Sequence, residues 1–128
     1  MGPLVGGNLS LLTAALGSDT QLDTKGKIIF IEEIGEHKYH IDRQLQSLKR
    51  AGYFKHCAAV IIGDMSQLKT NNPAWGQSIE ALILEVLKDT DVPVAFGFPA
   101  GHEFENRALY FGRTIQLHVT KSKTRVLF

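Results

Sequence analysis

Lys27-Ile28-Ile29-Phe30-Ile31 runs directly into Glu32-Glu33-Ile34-Gly35-Glu36, so an apolar, largely β-branched stretch ends in acid. The run predicts a buried strand over 27–31, bounded by Gly26 and closed by the carboxylates. Downstream, 41–51 predicts an amphipathic helix: Ile41, Leu45 and Leu48 share one face, Asp42, Arg43, Gln46 and Lys49 the other, and Gly52 stops it. A second buried strand follows over 57–62 and closes at Gly63-Asp64. The polar segment 65–75, with Asn71-Asn72-Pro73, predicts a loop ending at Trp75. Ser78 or Gln77 then opens a helix whose Ile79, Leu82, Ile83, Val86 and Leu87 form one stripe.

Upstream, Asn8 or Ser10 caps a short helix over 9–16, closed by Gly17. A third strand over 94–98 runs into Pro99-Ala100-Gly101-His102, followed by alternating segments at 108–112 and 114–119 and a last strand over 125–128. This order, αβαβαβ and then β strands, predicts a layered α/β domain with a mixed sheet. No strand is expected ahead of Gly6-Gly7-Asn8, and the opening Met1-Gly2-Pro3-Leu4 reads as a cut within a longer protein.

The composition suits one globular domain: 128 residues, 44% hydrophobic and 21% charged. Such a chain buries about two thirds of the surface its unfolded form exposes. It is nevertheless small for a hydrolase that must build both a nucleophile site and a substrate cleft. With 14 Lys+Arg against 13 Asp+Glu, scattered along the chain, neither nucleic acid nor an anionic membrane is the expected partner. The single cysteine, Cys57, sits before Ala58-Ala59-Val60 and is expected to be buried and inert. No apolar run approaches the roughly 20 residues of a membrane span and no signal segment is evident, so a soluble, cytoplasmic protein is expected.

Three predicted strands end in polar groups: Glu32-Glu33, Gly63-Asp64 and Gly101-His102. In open α/β sheets the carboxyl ends of strands are where reactive side chains are both exposed and firmly positioned. A carboxylate and a histidine at neighbouring ends suit a base and its orienter, because the carboxylate fixes the imidazole tautomer and stabilises the imidazolium. The bland alternative is a loop histidine bonded to backbone beside solvated acids. A nucleophile is harder to find: there is no Gly-x-Ser-x-Gly elbow, and the serines fall in helices, caps and turns. No phosphate-binding glycine loop occurs. For a metal, His37 and His40 are three apart and His102, Glu103 and Glu105 cluster, but no His-Glu-x-x-His or cysteine pair completes a site, so none is expected.

Taken together, Gly6-Gly7-Asn8-Leu9, Ile29-Phe30-Ile31-Glu32-Glu33 with Gly35-Glu36, Tyr39 and Ile41-Asp42-Arg43, Ile61-Ile62-Gly63-Asp64, and Phe98-Pro99-Ala100-Gly101-His102 with Asn106 and Gly112 resemble the carboxy-terminal domain of the LD-carboxypeptidases. This serine peptidase family includes muramoyltetrapeptide carboxypeptidases and microcin-immunity peptidases. The resemblance covers nearly the whole chain. It implies a swivelling β/β/α-type domain, with a mixed, partly barrel-like sheet flanked by helices, occupying 1–128 as a single domain. It also implies an absent amino-terminal domain that bears the nucleophilic serine.

Carried over by motif, the family's Ser-Glu-His triad places its glutamate at Glu32 and its histidine at His102, with Glu33 and Glu36 as rivals to Glu32. Glu33, Asp64 and Gly101 are assigned to substrate or cleft. The implied activity is removal of terminal D-Ala from murein tetrapeptide, for cytoplasmic peptidoglycan recycling, without metal or cofactor. The isolated domain is expected to be inactive without its amino-terminal partner domain. Gly35-Glu36 and Ile41-Asp42-Arg43 look more like this recycling branch than the microcin-type branch, which cleaves nucleotide-linked peptide amides. Family members also imply a homodimer, and Trp75 and Phe104 are candidates for substrate, subunit or packing contacts. The remaining alternative is a non-catalytic peptide- or protein-binding module that retains the fold.

Overall fold

A computed structural model of the chain describes residues 1–70 and 76–128, which leaves the predicted loop residue Trp75 outside the described residues. The elements run β1 (Gly2–Asn8), α1 (Leu9–Ala14), β2 (Ile28–Ile34), α2 (Lys38–Arg50), β3 (Ala59–Ser66), α3 (Ile79–Leu87), β4 (Val94–Ala95), β5 (Thr114–Val119) and β6 (Thr124–Leu127). They build one six-stranded mixed sheet in the order β4-β3-β2-β1-β5-β6. Strands β1 to β4 are parallel, and β5 and β6 join antiparallel beyond β1.

Each parallel crossover steps one strand in the same direction, so crossovers of one hand must stack their helices on one face. The packing obeys this: Leu9 and Leu12 of α1, Ile41, Leu45 and Leu48 of α2, and Leu82, Ile83, Val86 and Leu87 of α3 share a buried cluster with Ile29, Ile31, Val60 and Ile62. Burying each such side chain contributes about 1.5–3 kcal/mol. The alternate residues of the same strands, Ile28, Phe30, Ala59 and Ile61, form a second cluster with Leu4, Ala100 and Ile115.

That second face is covered by the sheet's own edges. Phe98, just beyond β4, meets both Phe30 and Phe128, just beyond β6, with ring centroids 6.4 Å apart in each case. The two ends of the strand order therefore curl toward one another, and the sheet is partly barrel-like as expected.

Several expected boundaries require correction. Strand β1 is unforeseen, because Gly2-Pro3-Leu4-Val5-Gly6-Gly7-Asn8 lacks a β-branched run. Gly6 has a packing cause: a Cβ there, at φ +133°, would strike the Phe30 carbonyl oxygen of the adjacent strand. Strand β2 does not stop at Ile31 but continues through Glu32 and Glu33, and β3 likewise continues to Ser66. Helix α1 ends at Ala14, and α2 starts three residues earlier than its apolar stripe indicates. Strand β4 is only two residues long, as Gly97 turns the chain at φ +72°. Segment 108–112 is not a strand, although Gly112 N donates to Leu4 O at 2.7 Å.

Candidate active site

The two adjacent glutamates of β2 part company by strand alternation. Ile28 and Phe30 face the curled side of the sheet, and Glu32 continues that row; Ile29 and Ile31 face the helices, and Glu33 continues theirs. On the curled side Glu32 Oε2 lies 2.8 Å from His102 Nδ1, with side-chain exposures of 9% and 47% respectively. A carboxylate at Nδ1 accepts the ring N–H, which leaves Nε2 as the unprotonated nitrogen of the neutral ring. That nitrogen has no hydrogen-bond partner among the described residues.

His102 sits on an irregular segment stitched to the end of β3. Phe98 N donates to Ile62 O at 3.1 Å and Asp64 N to Ala100 O at 2.9 Å. The Asn106 amide brackets one residue, accepting from Gly101 N at 3.3 Å and donating to Gly101 O at 3.1 Å. On the other side of His102, Glu103 N donates to Asp64 Oδ2 at 3.4 Å. The close approach depends on small residues: a Cβ on Gly101, at φ +147°, would lie 2.8 Å from the Asp64 Cβ, and one on Gly63 would strike the Ala100 carbonyl oxygen.

Glu33 and Glu36 have other partners. The Glu33 carboxylate accepts from Asn8 Nδ2 (2.8 Å), Ser10 N (2.9 Å), Ser10 Oγ (2.6 Å) and Ile34 N (2.9 Å). Burial alone would raise its pKa, but the Ser10 hydroxyl, the Ile34 amide and the Asn8 amide outweigh that and hold it below the ordinary glutamate value. Glu36 pairs with His40 Nδ1 at 2.7 Å, one helical turn away. Of the three acids, then, Glu32 is the one placed against His102. Glu33, assigned to the cleft on sequence, points instead under α1 at 2% exposure.

Asp64 is half-buried and borders a shallow cavity of about 290 Å³ with Gly63, Gly97 and Glu103. Larger clefts lie elsewhere: one of about 630 Å³ by Cys57 and Pro93, and one of about 550 Å³ between β4 and β6. The Glu32–His102 pair lines none of these and opens onto the surface. Cys57, beside the cleft of about 630 Å³, has its thiol pushed up to about 11 by burial. Phe104, two residues beyond His102, is fully exposed. Among the described residues no group of three or more His, Cys, Asp and Glu is placed to hold a metal ion, and no helix is long and apolar enough to cross a membrane.

Sequence reasoning missed the Asn8–Ser10–Glu33 cluster and the Asn106 bracket. Period-two alternation through β2 would have separated Glu32 from Glu33; nothing in the spacing of Asn106 announces its role.

The mixed α/β sheet carries a carboxylate–histidine pair at an open surface, and similarity to known proteins places the domain in a peptidase family. Residues 1–117 match the family described as LD-carboxypeptidase C-terminal domain, and the chain belongs to that family. It is 36% identical over 126 residues to the probable murein peptide carboxypeptidase of Bacillus subtilis (strain 168), covering 98% of this chain and 39% of that protein. The crystal structure of muramoyltetrapeptide carboxypeptidase from Oxalobacter formigenes superposes with a TM-score of 0.87 at 29% identity, over 98% of this chain and 44% of that one. An MccF-like protein from Bacillus anthracis str. Ames follows at TM-score 0.77 and 27% identity, over 98% and 38%. The chain thus spans about two fifths of the length of the curated relatives it matches.

Proposed function

We propose that this domain supplies the glutamate and histidine of a Ser-Glu-His triad in a carboxypeptidase that releases terminal D-Ala from murein tetrapeptide during cytoplasmic peptidoglycan recycling. The observation that carries the reading is the 2.8 Å contact between buried Glu32 and half-exposed His102 on an open surface. The serine belongs to an amino-terminal domain that closes over this surface. His102 Nε2 takes the serine hydroxyl proton as the oxygen attacks the scissile carbonyl. It then gives that proton to the departing D-Ala amine, leaving an acyl-serine that water hydrolyses by the same relay. Glu32 holds the ring in its Nδ1–H tautomer and stabilises the imidazolium formed in each half-reaction.

Cleavage of nucleotide-linked peptide amides is the second reading, favoured by the resemblance to the MccF-like protein. The higher TM-score to the muramoyltetrapeptide carboxypeptidase supports the murein substrate. In both readings this chain alone hydrolyses nothing. The test is D-Ala release from murein tetrapeptide by the full-length protein. His102→Ala is expected to lower kcat/KM by roughly 10³-fold or more, and a rate within about threefold of the parent would refute the assignment.

A further inference from the structure

We propose that Glu33 is a positioning residue for the Glu32–His102 pair, its buried carboxylate tying the end of β2 to the first turn of α1 so that Glu32 is held against the ring of His102. The claim rests on the functional reading above for its consequence in catalysis, but on independent geometry for its structural part.

The β2–β3 ladder is irregular where Glu32 sits. Ile31 pairs with Ile62, yet Glu33 pairs with Met65, so Gly63 and Asp64 put an extra residue into β3 opposite Glu32. A bulge disrupts the ladder locally and bends the strand that carries it, here β3, so Glu32 lacks a regular partner on that side. On the other side Glu32 is in register with Asn8, the last residue of β1 and the cap of α1, whose Oδ1 accepts from Leu11 N at 3.2 Å.

Glu33 joins these parts. One oxygen takes Asn8 Nδ2 and the Ile34 amide, and the other takes both Ser10 donors. Gln44 Nε2 of α2 extends the chain by donating to Ser10 Oγ at 2.9 Å. Four donors around one carboxylate at 2% exposure fix the strand end from the helix side, in place of the ladder bonds that the bulge disrupts on the β3 side. A glutamine cannot substitute, because its amide nitrogen would face donors where the carboxylate has an acceptor.

The test reads the His102 ring by ¹⁵N NMR in this 128-residue chain, and turnover in the full-length enzyme. In the parent, His102 is expected as the single Nδ1–H tautomer. In Glu33→Gln it becomes a tautomer mixture, and kcat falls about 10- to 100-fold with KM within about twofold, the pattern of a misplaced catalytic group. Where Glu33→Gln does not fold, Ser10→Ala carries the test, with the same tautomer shift and a kcat loss of about three- to tenfold. An unchanged His102 tautomer in the folded variant overturns the proposal, whatever turnover does. If Glu32→Gln and His102→Ala leave turnover intact, the functional reading fails separately, and the tautomer still decides the positioning claim.

Discussion

The two faces of β2 treat neighbouring, chemically identical side chains in opposite ways. On the helix face Glu33 is saturated, with four donors converging on it and only 2% of its surface exposed. On the curled face Glu32 spends one oxygen on a histidine that is itself half-exposed, at the rim of a surface. The contrast teaches that burial of an acid does not mark a reactive group; the marker is a buried acid whose partner reaches solvent. The packing repeats the contrast. Helices α1 to α3 seal one face with fully buried leucines and isoleucines, whereas the other is roofed by a short hairpin and an irregular segment.

Truncation should expose this asymmetry most strongly. Leu48→Ala on the helix face removes a wholly buried side chain and is expected to cost 2–5 kcal/mol of unfolding free energy, roughly. Leu117→Ala on β5, half-buried, should cost about 1 kcal/mol. Equal losses in urea unfolding would erase the distinction between the faces.

Next is the close approach under His102. Gly101→Ala pushes a Cβ against Asp64 and is expected to lower kcat/KM of the full-length enzyme by about 10²-fold with the fold intact, because displacing the base by an ångström suffices. Parent-like turnover would mean that the segment tolerates displacement.

A smaller effect follows from the lowered pKa of Glu33. A depressed folded-state value contributes stability that is present above the ordinary glutamate value of 4.5 and is lost as pH falls through the folded value. The stability gap between parent and Glu33→Gln should therefore be widest near neutrality and narrow below 4.5; a gap independent of pH would contradict the hydrogen-bond account. The smallest effect concerns Cys57, whose thiol, pushed up to about 11, should resist alkylation at neutral pH until the chain unfolds. Rapid labelling of the folded chain would show that the site is open.

Legibility followed periodicity. The stripes of α2 and α3 and the apolar runs of β2 and β3 carry enough repeats to declare themselves, and Ile41, Leu45 and Leu48 are buried as their spacing predicts. Strand β1 has no such signal, since Gly6 serves the approach of a neighbouring strand rather than a hydrophobic pattern. Segment 108–112 alternates without forming a strand: it touches the β1 backbone only at its end, where Gly112 N donates to Leu4 O. The polar strand ends were legible as a set, and alternation along β2 separates Glu32 from Glu33, while the pairing of Glu32 with His102, 70 residues away, depends on tertiary packing that no local pattern encodes.

The central claim is that Glu32, and neither rival acid, acts through His102. It is tested most directly by comparing Glu32→Gln with Glu36→Gln in the full-length protein on murein tetrapeptide. Glu32→Gln is expected to lower kcat/KM by about 10³- to 10⁴-fold, as when a triad loses the acid that sets its histidine tautomer. Glu36→Gln, which breaks only a partly exposed pair with His40, should stay within about threefold of the parent. The reverse ranking, with Glu36→Gln inactive and Glu32→Gln near wild type, would contradict the account.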